Sequence, residues 1–181
     1  MVSKILPFRK EKIRAIIKKY PTPFHIYDEK AIRENARRFL KAFSILKGFK
    51  EFFAVKATPN PYILKMLHEE GFGVDCSSYA ELEMAERVGF KGEEIMFSSN
   101  DTPAEEFVKA KKLGVIINLD DISHIDFLEK AAGIPSLICF RYNPGPARKG
   151  NEIIGKPEEA KYGLTREQMF EAYKIARKKG A

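Results

Sequence analysis

Residues 51–57 read EFFAVKA. Four apolar residues, Phe52 to Val55, lead to a single lysine, Lys56, with almost no polar alternation. A short aromatic and β-branched run of this kind predicts a strand buried on both faces, as strands of parallel sheets are. Just downstream, Asn60-Pro61 supplies an N-cap and a proline at the first helical position, and Gly71 closes the helix. The same beat then repeats. The apolar runs FGVDCSS (72–78), EIMFSSN (94–100), GVIINLD (114–120) and SLICFRYN (136–143) each precede a helical pattern. Ser78 with Glu81 predicts a capping box, and so do Thr102-Pro103-Ala104-Glu105 and Thr165 with Gln168. Gly89, Gly114, Gly133 and Gly180 mark helix ends, the helix before Gly133 being expected from about Asp121 to Ala132.

Strands alternating with helices imply βαβ units and a parallel sheet. Each strand's C-terminal end carries polar or charged residues. These are Lys56; Asp75; Ser98 to Asn100; Asn118 with Asp120; and Arg141 with Asn143. A TIM-type barrel gathers its functional groups on that rim, one contribution per strand. No G-x-G-x-x-G follows the first strand, as a doubly wound dinucleotide fold would more often show. The expected fold class is therefore α/β, a partial TIM-type (β/α) barrel with about five of the eight strands that close such a barrel.

Composition limits the function classes. The net charge is +7 over 181 residues, but Lys and Arg alternate with Glu and Asp along the helical stretches. That pattern describes solvated helix faces, not a nucleic-acid surface. No run approaches the apolar length of a membrane span. The N-terminal stretch reads as an amphipathic helix with Ile13, Ile16, Ile17 and Tyr20 on one face, not as a cleaved leader. Cys76 and Cys139 sit in strand-like runs, as reduced thiols of a cytoplasmic protein do.

Lys56 is the pivotal candidate. A lysine in a barrel mouth that is desolvated loses its proton more readily and attacks carbonyls. A lysine at a strand end also snorkels to water with no chemical role. The surrounding residues bear on the choice. Phe53-Ala54-Val55-Lys56-Ala57, followed by Pro59-Asn60-Pro61, resembles the cofactor-lysine segment of fold-type III pyridoxal-phosphate decarboxylases. These share the alanine racemase-like barrel and include diaminopimelate, ornithine and arginine decarboxylases. Further matches follow in order: Thr22-Pro23-Phe24-His25-Ile26-Tyr27-Asp28 looks like an opening strand, and Gly73 to Ser78 with Glu81 like an aspartate–serine–glutamate segment. Phe97 to Thr102, Arg141-Tyr142-Asn143-Pro144-Gly145 and Lys161-Tyr162-Gly163 look like later landmarks.

The resemblance is nearest to diaminopimelate decarboxylases and implies a set of roles. Lys56 would carry pyridoxal 5'-phosphate and exchange it for a substrate amine. Asp75 and Arg141 would lie beside that lysine as charged partners. Ser78 and Glu81 match positions near the cofactor, although both already serve the capping box. Ser98 and Asn100 are either pocket-lining groups or ordinary turn polarity. His25, His68 and His124 match no catalytic position. The resemblance further implies a small-molecule amino-acid substrate, a homodimer in the full-length form, and domains of 1–27 (helix and opening strand) and 28–181 (incomplete barrel). The family's ring-stacking histidine and phosphate-binding turn have no counterpart up to Ala181, so the isolated chain is expected to be incompetent alone. Thr58 replaces a frequent Asn, and the loop Pro146–Lys156 lacks a histidine and a Ser-Thr-Gly common there. The substrate is thus open, with ornithine, arginine or carboxynorspermidine decarboxylases, or a non-catalytic cofactor-binding protein, as alternatives.

Overall fold

The structure, a computed structural model, describes residues 8–145 and 162–181. The loop Pro146–Lys156 and Lys161 lie outside the described residues. The chain divides into two compact units, one up to Ile45 and one from Leu46 onward. The first contains helices α1 (Lys10–Lys19) and α2 (Glu29–Ala42). Asp28 caps α2, accepting the Ala31 N–H at 3.1 Å, and Glu29 pairs with Arg33 one turn on at 2.8 Å. Between the helices, residues 21–28 carry no strand pairing. The opening strand expected over Thr22–Asp28 is absent from the sheet, and α2, assigned above to the barrel, falls in the first unit.

The second unit contains the strand–helix repeat. Strands β1 (Phe52–Ala54), β2 (Gly73–Cys76), β3 (Ile95–Phe97), β4 (Ile116–Leu119) and β5 (Ile138–Phe140) form one sheet in chain order, every pair parallel. Helices α3 (Pro61–Glu69), α4 (Tyr79–Val88), α5 (Ala104–Leu113), α6 (His124–Ala132) and α7 (Arg166–Lys178) follow the strands. Period-two alternation decides which face each strand residue takes. Val74, Cys76, Ile95, Phe97, Ile117, Leu119, Ile138 and Phe140 are all buried. They share one core with helical residues such as Leu64, Leu82, Phe107, Leu128 and Ala172. Burying each large side chain there contributes about 1.5–3 kcal/mol. The intervening residues Ala54, Asp75, Met96, Ile116, Asn118 and Cys139 are only half-buried and form the opposite face. Helices on one face and strands in chain order are the arrangement of a (β/α) barrel; a doubly wound sheet reverses its order at a switch point.

Local signals explain most element boundaries. Asn60 accepts the Tyr62 N–H at 3.0 Å, and Thr165 and Gln168 exchange both bonds of a capping box. Gly89 closes α4 at φ 115°, a left-handed conformation that side chains resist. At Gly73 a Cβ would lie 2.6 Å from the Glu94 carbonyl oxygen and 2.8 Å from the Phe52 ring, so only glycine lets β1, β2 and β3 approach there.

Two expected boundaries shift. Thr102 does not cap α5: Pro103 occupies the N-cap without a side-chain bond, and Thr102 is buried. Asp121 forms a turn instead of starting α6, its carboxylate accepting the Ser123 N–H at 2.8 Å and hydroxyl at 2.6 Å. No helix among the described residues is long and apolar enough to cross a membrane.

Candidate active site

The half-buried face of the sheet collects the chemistry. Parallel register places Ala54 beside Asp75, Asp75 beside Met96, and Asn118 beside Cys139. Lys56, Ser98 and Arg141 lie just beyond the C-terminal ends of β1, β3 and β5. Lys56 itself is not in the strand. The chain tightens into a 3-10 turn over Val55–Ala57, with the Thr58 N–H bonded to the Val55 carbonyl at 3.1 Å. Val55 is fully buried, whereas Lys56 is exposed. The barrel-mouth reading expects a buried lysine, whereas this residue is exposed.

Asp75 is the electrostatic centre. Burial pushes its carboxyl above the ordinary aspartate value; the polarity of the Ser98 hydroxyl and the charges of Lys56 and Arg141 oppose the rise, and Glu81 adds to it. One carboxylate oxygen, Oδ1, is buried without a hydrogen-bond partner among the described residues. An unpaired buried oxygen is costly, so it favours a donor or a cation placed against it. Arg141 is exposed, and its guanidinium carbon lies 5.8 Å from the centroid of the Tyr162 ring. That contact is worth about 0.5–1 kcal/mol at exposed positions. Tyr162 is held near by its neighbours: Gly163 donates to the Asp120 carbonyl at 2.8 Å and Leu164 to the Arg141 carbonyl at 2.7 Å.

Ser78 and Glu81 divide differently. The Ser78 hydroxyl accepts the Glu81 N–H at 3.3 Å, as an N-cap should. Glu81 returns not to Ser78 but to Ser77, accepting its N–H at 2.8 Å and lying 3.3 Å from its hydroxyl. Replacing Ser78 by alanine is expected to cost about 1 kcal/mol of stability, the usual worth of such a cap. Chemical denaturation checks that value, and unchanged pyridoxyl labelling of Lys56 in the same variant would confine Ser78 to capping.

The structure therefore brings Lys56, Asp75, Glu81 and Arg141 together electrostatically, and Ser98 with them, while Ser78 serves the helix. Asn100 turns elsewhere, its amide donating to Asp120 at 2.6 Å. Two side chains escaped the sequence reading. Glu106 of α5 accepts the Tyr79 N–H at the start of α4 at 2.8 Å and lies 3.3 Å from the Ser99 hydroxyl. Asn118, noted only as rim polarity, donates to the Ser98 hydroxyl oxygen at 3.2 Å. Alternation from Asp120 could have placed Asn118 inward; nothing local marks Glu106. His68 packs on Phe90 with ring centroids 4.2 Å apart, and His124 Nδ1 lies 3.1 Å from Asp120 Oδ1 without hydrogen-bond alignment. The Cys76 thiol, on the helix-covered face, is pushed up to about 12 by burial and then by the Glu81 and Asp75 charges, so it stays protonated and inert.

An exposed primary amine beside a half-buried carboxylate with an unpartnered oxygen fits the carbonyl end of a pyridoxal group. Comparison with known proteins points the same way. Residues 29–180 match the family described as pyridoxal-dependent decarboxylase, pyridoxal binding domain. Protein TabA of Pseudomonas amygdali pv. tabaci is 40% identical over 90% of this chain and 38% of its own length. Diaminopimelate decarboxylase of Methanothermobacter thermautotrophicus is 36% identical over 87% of this chain and 37% of its own. Among solved structures, diaminopimelate decarboxylase of Helicobacter pylori complexed with L-lysine superposes with a TM-score of 0.80 and 29% identity, over 92% of this chain and 43% of that one. The M. jannaschii diaminopimelate decarboxylase in co-complex with L-lysine gives 0.80 and 28%, over 91% and 41%. The chain thus spans less than half the length of these relatives. Its five parallel strands correspond to the N-terminal barrel portion of the diaminopimelate decarboxylase structures, and the chain belongs to the pyridoxal-dependent decarboxylases, as part of their pyridoxal-binding domain.

Proposed function

We propose that this chain is the cofactor-lysine portion of a pyridoxal-phosphate-dependent amino-acid decarboxylase of the diaminopimelate type, acting in lysine biosynthesis. The observation that carries the reading is the gathering of Lys56, Asp75 and Arg141 at the C-terminal ends of β1, β2 and β5. Lys56 would hold the cofactor through its amine, and Asp75, Ser78, Glu81 and Arg141 would surround it, Ser78 through the helix it caps. When bound, pyridoxal phosphate supplies an electron sink for the bond broken at the substrate's α-carbon.

The chain's own residues set the conditions for that chemistry. Asp75, with its buried oxygen unpaired, stabilises positive charge on a nitrogen held at Lys56. Arg141 balances Asp75 from the far edge of the sheet and favours its ionised form. Glu81 has the opposite electrostatic effect on Asp75, and its bonds to Ser77 fix the turn that follows β2.

Lys56 is exposed in the described structure. That exposure also favours a second reading, a pyridoxal-phosphate carrier without catalysis. The full-length decarboxylase would be a cytoplasmic homodimer taking a small amino acid.

The test is cofactor trapping. The chain is incubated with pyridoxal phosphate, reduced with borohydride, and digested for peptide mapping. Pyridoxyl label concentrated on Lys56 is the expected result; label spread evenly over the exposed lysines would overturn the assignment. Carbon dioxide release from diaminopimelate by the full-length protein separates the decarboxylase from the carrier.

A further inference from the structure

The residues beyond the ends of β3 and β4 form a second polar junction. Asp120 directly follows β4 and is buried, with 6% of its surface exposed. The side-chain amide of Asn100, from the turn after β3, donates to Asp120 Oδ2 at 2.6 Å. Against the other oxygen, Oδ1, stands His124 Nδ1 of α6 at 3.1 Å, within reach of charge attraction though not aligned as a hydrogen bond. The neighbouring Asp121 is engaged locally, by Ser123.

The backbone of Asp120 reaches a third segment. Its carbonyl accepts the Gly163 N–H at 2.8 Å. On the other side of that segment, the Leu164 N–H bonds to the Arg141 carbonyl at 2.7 Å and the Asn143 N–H to the Leu164 carbonyl at 2.8 Å. The Asn143 amide lies 3.3 Å from the Tyr162 carbonyl oxygen. Residues 162–164 are thus held between the end of β4 and the end of β5, and Tyr162 presents its ring to the Arg141 guanidinium, 5.8 Å away. The Asp120 carbonyl lies beyond the β4–β5 ladder, which ends with the Arg141 N–H on the Leu119 carbonyl at 2.8 Å. Its direction therefore depends on what holds Asp120 itself. A donor on a buried carboxylate is among the stronger hydrogen bonds a side chain makes.

We propose that Asp120 is a positioning residue: gripped through its carboxylate by Asn100, it aims its carbonyl at Gly163 and so seats Tyr162 against Arg141. Asn100 and Asp120 touch no reacting group in this scheme; both act on Arg141 through the 162–164 segment. The purpose of the clamp rests on the proposed site role of Arg141, whereas the clamp itself exists without cofactor.

The test uses the cofactor-free 181-residue chain. Amide hydrogen exchange is followed by NMR at Gly163 and Leu164, with Val115 at the opposite end of β4 as the reference. Asn100→Ala is expected to speed exchange at Gly163 by about tenfold, the worth of a hydrogen bond to a charged group, and to leave Val115 unchanged. The Arg141 side-chain resonances, displaced by the Tyr162 ring, are expected to move toward their positions in Tyr162→Leu. Exchanging donor and acceptor, Asn100→Asp together with Asp120→Asn, remakes the bond in reverse and is expected to return both readings toward wild type.

Gly163 exchange that matches wild type in Asn100→Ala overturns the proposal. So does equal acceleration at Gly163 and Val115, which is the mark of a residue that only stabilises the fold. Asp120→Asn keeps the shape and weakens the bond by removing the charge, so it keeps the test open if Asn100→Ala does not fold; its smaller acceleration must again be confined to Gly163 and Leu164. The outcome is separable from the functional reading. Local acceleration with no pyridoxyl label on Lys56 would leave the clamp standing and remove the cofactor role. Label on Lys56 with unmoved exchange would do the reverse.

Discussion

Changing Lys56 to alanine is expected to abolish the site-selective pyridoxyl label while leaving the fold intact. Both halves follow from the same geometry. The Lys56 side chain is exposed in a 3-10 turn and packs in no core, so its loss creates no cavity. Exposed substitutions without a special backbone role usually stay within about 0.5 kcal/mol. The buried anchor of that turn is Val55, not Lys56. The label has no equivalent substitute nearby. Other exposed lysines, such as Lys65 on α3, also face water, but the charged neighbour that distinguishes Lys56 is Asp75. Peptide mapping of Lys56→Ala after borohydride reduction, beside a thermal melt, reads both effects. An unchanged total of label, redistributed from no dominant site, would show that Lys56 was never selected.

The fold was legible because its signals are local. The short continuous apolar runs found five strands and the glycines found the helix ends, since both signals lie within a dozen neighbouring residues. The caps at Asn60, Ser78 and Thr165 could be read for the same reason: donor and acceptor lie within three residues. Thr102 showed the same local motif and failed as a cap, because it is buried and α5 begins beyond Pro103.

The site was only partly legible. Strand-end polarity singled out Asp75, but the turn at Val55–Ala57 takes Lys56 out of the strand, which the apolar run EFFAVKA gave no sign of. Solvation of Lys56 depends on what covers the other face of the sheet, a long-range property that its own neighbours do not encode. Glu106 reaches the Tyr79 N–H across 27 residues, and Asn118 reaches Ser98 across 20. Neither spacing carries any periodic signature.

Asp75→Asn is expected to stabilise the chain and to impair it in the same step. Burial raises the folded-state value of this carboxyl above 3.8, and the attractions of Ser98, Lys56 and Arg141 do not fully offset it. The sign follows from linkage. A carboxyl whose folded value is raised favours folding when protonated, below its unfolded value. That contribution is lost as pH rises through the folded value, so at neutral pH the ionised group is a net cost. Asparagine keeps the shape and removes the charge. A rise in Tm at pH 7 is the expected stability effect, each 1 kcal/mol corresponding to about 2–4 °C in a chain of this size. At pH 3, where the carboxyl is protonated in both states, the variant and wild type should melt together.

The same change removes the negative charge that Asp75 presents toward Lys56, so selective pyridoxyl labelling of Lys56 should fall toward that of the surface lysines. Stability gained where reactivity is lost is the pattern expected when a fold keeps a poorly satisfied group for its chemistry. The buried, unpartnered Oδ1 of Asp75 is such a group. A lower Tm in Asp75→Asn at neutral pH would instead make Asp75 a structural ion partner of Lys56 and Arg141. Thermal melts at pH 3 and pH 7 with peptide mapping on the same samples decide between them, because a structural partner would lower Tm at pH 7 and a chemical one would raise it.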